Sequence, residues 1–204
     1  MALDGDTLVI GAYGDDYLGD ASGSVYVFRI VVGSFIDVVG TTFEDDIEWM
    51  VAQGITLGCN PEGTLYCPLD SVTRAQMASF LVRALDLPAV AGNRFTDVSG
   101  THLANINALA EAGVTLGCNP GGTLYCPNDL VTRAQMGSFL ARALGLAPIL
   151  GDVFADVDGT HEPNINAIAA AGITLGCNSE GTLFCPDDPV TRGQMAAFLH
   201  RALG

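Results

Sequence analysis

Residues 113–145 read GVTLGCNPGGTLYCPNDLVTRAQMGSFLARALG. Residues 54–86 and 172–204 repeat this stretch, and 22 of the 33 aligned positions are the same in all three copies. The cysteines carry the period: Cys59, Cys118 and Cys177 form one series, Cys67, Cys126 and Cys185 the other, and each steps by 59 residues. An upstream half recurs as well, opening on Phe35-Ile36-Asp37-Val38, Phe95-Thr96-Asp97-Val98 and Phe154-Ala155-Asp156-Val157. A fixed period of this size is the mark of a repeat architecture, in which each unit is one supersecondary element.

Each unit reads as two helices joined by a cysteine-bounded loop. Ile106, Leu109 and Ala110 follow helical spacing, as do Ile47, Met50, Val51 and Ile165, Ile168, Ala169. Gly54, Gly113 and Gly172 end this first helix. The second starts at Thr73, Thr132 and Thr191, each followed three residues later by Gln76, Gln135 or Gln194, the capping-box pattern. Met77, Phe80, Leu81, Ala84 and Leu85 give it an apolar stripe. Pro88 and Pro148 mark the linkers at 86–94 and 145–153. One helix pair cannot bury its own apolar face and three stacked pairs can, so a mainly α, three-lobed unit is expected.

Residues 1–29 differ. Thr7–Ala12 and Ser24–Phe28 read as strands around the acidic segment 13–23. Two strands are marginal alone in water, so this segment is expected to be part of a larger β structure whose remainder precedes Met1. Asp15, Asp16 and Asp20 lack the order of a calcium loop and read as a solvated turn.

The chain has 204 residues, a net charge of −15 and eight basic residues, all arginine. Such a chain has no basic patch for a phosphate backbone, which argues against nucleic acid as a partner. No apolar run is long enough to span a bilayer, and Met1–Gly14 lacks the basic and apolar regions of a secretory signal. His102 and His161 occupy equivalent positions, read as capping or surface sites, and His200 reads as an exposed helix position. They form no nucleophile–base–acid set, so no enzyme activity and no cofactor are expected. The cysteine pairs have seven residues between them and no recurring histidine nearby, which suits zinc poorly. Disulfides Cys59–Cys67, Cys118–Cys126 and Cys177–Cys185 are favoured over a metal site, and imply an oxidising compartment outside the cytoplasm.

The repeated motifs F-x-D-V, Gly-Ile/Val-Thr, G-T-L-aromatic-x-P and V-T-R-A/G-Q-M resemble the S-layer homology (SLH) domain, in three copies at 35–86, 95–146 and 154–204. After a linker at 30–34, counting back, the segment 1–29 resembles one piece of an FG-GAP β-propeller blade of the integrin-α type. The SLH resemblance implies a pseudo-threefold unit with grooves between lobes. It also implies non-covalent attachment of an exported protein to cell-wall polysaccharide, often pyruvylated, at the cell surface. The family's glycan-contacting arginine maps onto Arg74, Arg133 and Arg192. Gln stands where the family motif is acidic, and the family's His-Trp-Ala reads Phe43-Glu44-Asp45, His102-Leu103-Ala104 and His161-Glu162-Pro163, without the tryptophan. Trp49, with Ala108 and Ala167 at the equivalent positions, reads as local packing.

The residues themselves leave two readings of these arginines. Each lies in the first turn of its helix, where the dipole disfavours a cation. At about 100° per residue, Arg74 lies about 50° from the centre of the apolar stripe, on the rim of the packed face, while Arg83 points to solvent. An Arg fork beside free helix N–H groups suits a carboxylate. The alternative is an internal salt bridge to Asp70, Asp129 or Asp188, four residues upstream, and the two combine if the aspartate orients the arginine for glycan. At the level of function, protein–protein assembly with self-association is the alternative to glycan anchoring, as is the tail of a larger surface enzyme or adhesin.

Overall fold

The computed structural model describes residues 33–204 in full, together with the backbone of residues 2–4, 7–12 and 24–29. The acidic turn with Asp15, Asp16 and Asp20 lies outside the described residues. Strands β1 (Ala2–Asp4), β2 (Thr7–Ala12) and β3 (Ser24–Arg29) form an antiparallel sheet in that order, with Leu8 opposite Phe28 and Leu3 opposite Leu8. The sequence reading missed β1, which is three residues long and has no alternation to betray it.

The repeats supply six helices among the described residues. They are α1 (Glu44–Ala52), α2 (Arg74–Ala84), α3 (Leu103–Glu111), α4 (Arg133–Ala143), α5 (Glu162–Ala170) and α6 (Arg192–Leu203). All three expected capping boxes form: the threonine hydroxyl accepts from the Gln amide, and the Gln side chain accepts from the threonine amide. Gly54, Gly113 and Gly172 take φ of 68°, 70° and 73° just past the first helices, the left-handed ending that glycine provides.

Second helices pack on the first helix of the next lobe: α2 on α3, α4 on α5, and α6 back on α1. The lobes therefore close into a ring around one core. Its fully buried members include Met50 and Met77 from lobe 1, Leu109 and Met136 from lobe 2, and Ile168 and Met195 from lobe 3. The segments just before the second helices meet at the centre. The Val72 amide donates to the Val190 carbonyl (2.9 Å), Val190 to Val131 (2.9 Å), and Val131 to Val72 (3.0 Å). This cyclic set of three hydrogen bonds uses one donor and one acceptor from each lobe, so each buried backbone group is satisfied only when all three are present.

The disulfide loops are clamped from the upstream half of their own lobe. Both oxygens of Asp37 accept from the backbone, from Tyr66 at 2.8 Å and Cys67 at 2.7 Å; Asp97 and Asp156 do the same in lobes 2 and 3. That explains the aspartate of the F-x-D-V motif. Cys67, Cys126 and Cys185 have φ of 58°, 56° and 56°, a region that costs a non-glycine residue energy, and the aspartate is the partner that holds the turn there.

The aromatic residue before each of these cysteines reaches across a lobe boundary. The Tyr66 hydroxyl donates to the Arg192 carbonyl at 2.9 Å and Tyr125 to Arg74 at 2.8 Å. Lobe 3 has Phe184 here and makes no such bond to Arg133. Phe184→Tyr is expected to stabilise the chain by about 1 kcal/mol, one net hydrogen bond, read as a higher urea midpoint with unchanged slope.

Candidate functional site

Three grooves lie between the lobes, and each takes residues from all three. Groove 1, about 400 Å³, is lined by Gly58, Asp70, Gln76 and Arg83 of lobe 1, Arg192 of lobe 3 and His102 of lobe 2. Groove 2, about 410 Å³, has Gly117, Asp129, Gln135 and Arg142 of lobe 2 with Arg74 and His161. Groove 3, about 340 Å³, has Gly176, Asp188, Gln194 and Arg201 of lobe 3 with Arg133 and Phe43. The sequence-predicted residues thus come together, but Arg74 meets Asp129, Arg133 meets Asp188, and Arg192 meets Asp70, always one lobe further round the ring.

The arginines at the helix starts are core residues. Arg74, Arg133 and Arg192 are 4%, 5% and 4% exposed, which replaces the expected rim position. Arg74 Nε donates to the Tyr125 carbonyl at 2.7 Å and Nη2 to the Gly117 carbonyl at 3.5 Å. Arg133 bonds Phe184 and Gly176 in the same way, and Arg192 bonds Tyr66 and Gly58. The guanidinium of Arg74 also lies 4.8 Å from the Tyr125 ring centre and 5.4 Å from that of Phe139, a cation–π arrangement repeated in the other lobes. Burial lowers the pKa of all three, opposed in part by the aspartates of the next lobe.

Two further expectations are corrected here. The helix N–H groups are not free: the Arg74 amide donates to the Asp129 carbonyl and Ala75 to Pro127, with the same pairs at α4 and α6. Nor does an arginine bridge to the aspartate four residues before it. Among the described residues the one basic–acidic side-chain contact within 4.0 Å is the hydrogen bond between His200 Nδ1 and Asp46 Oδ1, at 2.8 Å. The acceptors are backbone carbonyls, which no side-chain motif advertises.

Glycine is required where the arginine docks. At Gly117 φ is 94°, and an added Cβ would come within 2.6 Å of the Leu124 carbonyl oxygen; Gly58 and Gly176 are equally tight.

The sequence reading missed the second cation of each groove. Arg83, Arg142 and Arg201 are exposed, as the helical angle predicts, yet all three line grooves, and Arg83 Nη1 donates to the Ile55 carbonyl at 3.1 Å. The signal was present: a second arginine nine residues after the first in every repeat. Six of the eight basic residues of an acidic chain therefore line three grooves in pairs.

The histidines are not caps. His102 and His161 stand at the N-cap positions of α3 and α5 without capping by their side chains. Their Nδ1 atoms instead meet Ser79 Oγ at 2.7 Å and Ser138 Oγ at 2.8 Å, and Asn105 and Asn164 donate to the same hydroxyls. Burial, followed by the charge of Arg83 or Arg142, lowers both histidine pKa values. His200 pairs with Asp46 and stacks on Trp49, ring centres 4.9 Å apart at 15°, so Trp49 packs the seam between lobes 1 and 3.

All three expected disulfides are present, and their sulfurs are bonded to each other. Asp97 and Asp156 lie close to two of the bridges, but a bridged pair offers no thiolate to a metal. Among the described residues, no helix is long and apolar enough to cross a membrane.

Comparison with known proteins identifies the family of two of the three lobes. The S-layer homology domain family matches residues 94–136 and 153–196, and the FG-GAP repeat family matches residues 1–28. The chain is 29% identical over 180 residues to the exoglucanase XynX of Acetivibrio thermocellus, covering 83% of the chain and 16% of that enzyme. It is 28% identical over 169 residues to the surface-layer 125 kDa protein of Lysinibacillus sphaericus, covering 78% and 14%. An endoglucanase of Bacillus sp. (strain KSM-635) is 38% identical over 81 residues, 39% of the chain and 8% of the enzyme. The chain thus spans under a fifth of these relatives' length. SLH domains are anchoring modules of the cell surface, and three disulfides suit that compartment. The chain carries S-layer homology domains at residues 94–136 and 153–196, preceded by an FG-GAP repeat at residues 1–28.

Proposed function

We propose that residues 35–204 form three SLH lobes that attach the protein to cell-wall polysaccharide, non-covalently and without catalysis, through carboxylate groups held in the three grooves. The observation that carries this reading is the pairing of arginines, one buried and one exposed, in each groove. Arg74, Arg133 and Arg192 present the part of the guanidinium not committed to carbonyls, and Arg142, Arg201 and Arg83 close over the ligand from the same grooves. Asp129, Asp188 and Asp70 stand beside the buried arginines and orient them through their charge. The net charge of −15 repels an anionic polymer at long range, so capture is local and depends on the paired cations. A pyruvylated polymer has the carboxylate this chemistry favours.

The test is competition. Protein bound to isolated cell walls is expected to be released by a soluble carboxylated sugar such as glucuronate and not by glucose at equal concentration. Equal release by both, or by neither, contradicts carboxylate recognition. Lattice assembly is the alternative, and it requires self-association of the purified chain in sedimentation velocity without glycan.

A further inference from the structure

The three grooves share a phenylalanine of the second helix, Phe80, Phe139 or Phe198, and differ in the wall supplied by the following lobe. In grooves 1 and 2 the residue contributed by the following lobe is a histidine hydrogen-bonded to a buried serine, His102 with Ser79 and His161 with Ser138. Asn105 donates to Ser79 Oγ at 2.8 Å, and the same hydroxyl reaches the Ala75 carbonyl at 3.5 Å, so Ser79 ties the His102 ring into a buried polar network whose direction follows the ring tautomer. That wall is polar, an imidazole ring that bonds sugar hydroxyls as donor or acceptor according to its tautomer.

In groove 3 every element of this wall is replaced. Phe43 stands in the place of the histidine, Ala197 in the place of the serine, and Asp46, engaged with His200, in the place of the asparagine. Gly193 replaces Ala75 and Ala134, and the reason is steric: a Cβ at Gly193 would lie against the Phe43 ring. The phenyl ring therefore has a seat shaped for it, and the groove it lines still contains Arg133 and Arg201. A paired cation beside an aromatic wall suits a carboxylated pyranose, whose ring carbons offer an apolar C–H surface and whose carboxylate reaches the arginines.

We propose that groove 3 is a carbohydrate subsite of its own class, in which Phe43 selects a carboxylated sugar by packing on its apolar face, while grooves 1 and 2 address their ligand through His–Ser polar walls. This rests on the anchoring reading above and adds to it which groove recognises the sugar ring and which residue does so.

The experiment is an amide chemical-shift titration of the full chain with two probes, glucuronate and acetate, read at Gly58, Gly117 and Gly176 as reporters of grooves 1, 2 and 3. The ratio of glucuronate to acetate affinity is expected to be highest at Gly176. Phe43→Leu is expected to lower that ratio about five- to tenfold at Gly176 alone. The converse variant, His102→Phe with Ala75→Gly and Ser79→Ala, rebuilds groove 1 on the pattern of groove 3 and is expected to raise the ratio at Gly58. The unbound spectra check that both variants fold, and the converse variant decides the matter if Phe43→Leu does not. Equal ratios in all three grooves, or ratios unmoved by the converse variant, overturn this proposal while leaving anchoring intact. No shift at any of the three glycines with either probe overturns both.

Discussion

Arg74→Ala, a substitution in lobe 1, is expected to loosen lobe 2. The guanidinium donates to the Tyr125 and Gly117 carbonyls and lies over the Tyr125 ring, so its removal leaves lobe 2 carbonyls without their charged donor. Hydrogen bonds from a charged group contribute about 1.5–3 kcal/mol each, while relief of a buried charge offsets part of the loss, for a net destabilisation of about 2–4 kcal/mol. At about 2–4 °C per kcal/mol, the melting temperature falls by roughly 5–15 °C. Hydrogen exchange gives the direction. The Cys118 amide, bonded to the Leu124 carbonyl, and the Tyr125 and Cys126 amides, bonded to Asp97, are expected to exchange faster. The equivalent amides Cys59, Tyr66 and Cys67 of lobe 1, whose loop holds Arg192, are expected to change less. Faster exchange confined to lobe 1 would contradict the interlocked arrangement. Because these arginines hold the fold, loss of binding on their replacement cannot be read as loss of a ligand contact, and the exposed set is the correct probe.

Reduction of the disulfides is expected to have the larger effect. Each bridge closes a loop with a sequence separation of 8 residues, and the chain-entropy estimate for such a loop is about 2.5 kcal/mol. Three bridges then contribute an amount comparable with the roughly 5–15 kcal/mol of a typical domain. The loops also supply the carbonyls of Gly58, Gly117 and Gly176 that receive the arginines, so loosening them opens the lobe boundaries. Reduced and alkylated protein is expected to melt at least about 15 °C lower than the oxidised form, or to lose its cooperative transition. A melting temperature unchanged by reduction, with thiol release verified by mass, would contradict this.

What the sequence made legible is what is encoded locally. The helix starts follow from Thr and Gln three residues apart, the helix ends from glycine, and the disulfides from cysteines close in the chain. The lobe connections are different in kind. Arg74 finds its acceptor 51 residues away and Arg192 finds its own 126 residues away, and both acceptors are main-chain oxygens. No side-chain pattern marks them, so the aspartate in the same repeat looked like the partner when the next lobe provides it. Arg83 shows the same limit: its angle on the helix gave its exposure, but the groove beneath it exists only once Arg192 and His102 arrive from other lobes.

A signal for the unequal groove was present in the repeats. Phe43, Asp46, Trp49, Gly193, Ala197 and His200 depart from positions where the other two repeats carry the same or similar residues. All six belong to lobes 1 and 3, which meet where α6 packs on α1. That seam joins the first and last repeats, far apart in sequence, and the departures become one cluster only when the ring is closed.

The central claim, that paired arginines in composite grooves hold the wall polymer, is tested most directly by cosedimentation with isolated cell walls. The variant is Arg83→Gln with Arg142→Gln and Arg201→Gln, which removes the exposed cation from every groove and leaves the buried three in place. With a melting temperature close to that of the parent, it is expected to bind walls at least about tenfold more weakly, the loss of one charge-assisted contact per groove. Wall binding equal to that of the parent protein would contradict the account.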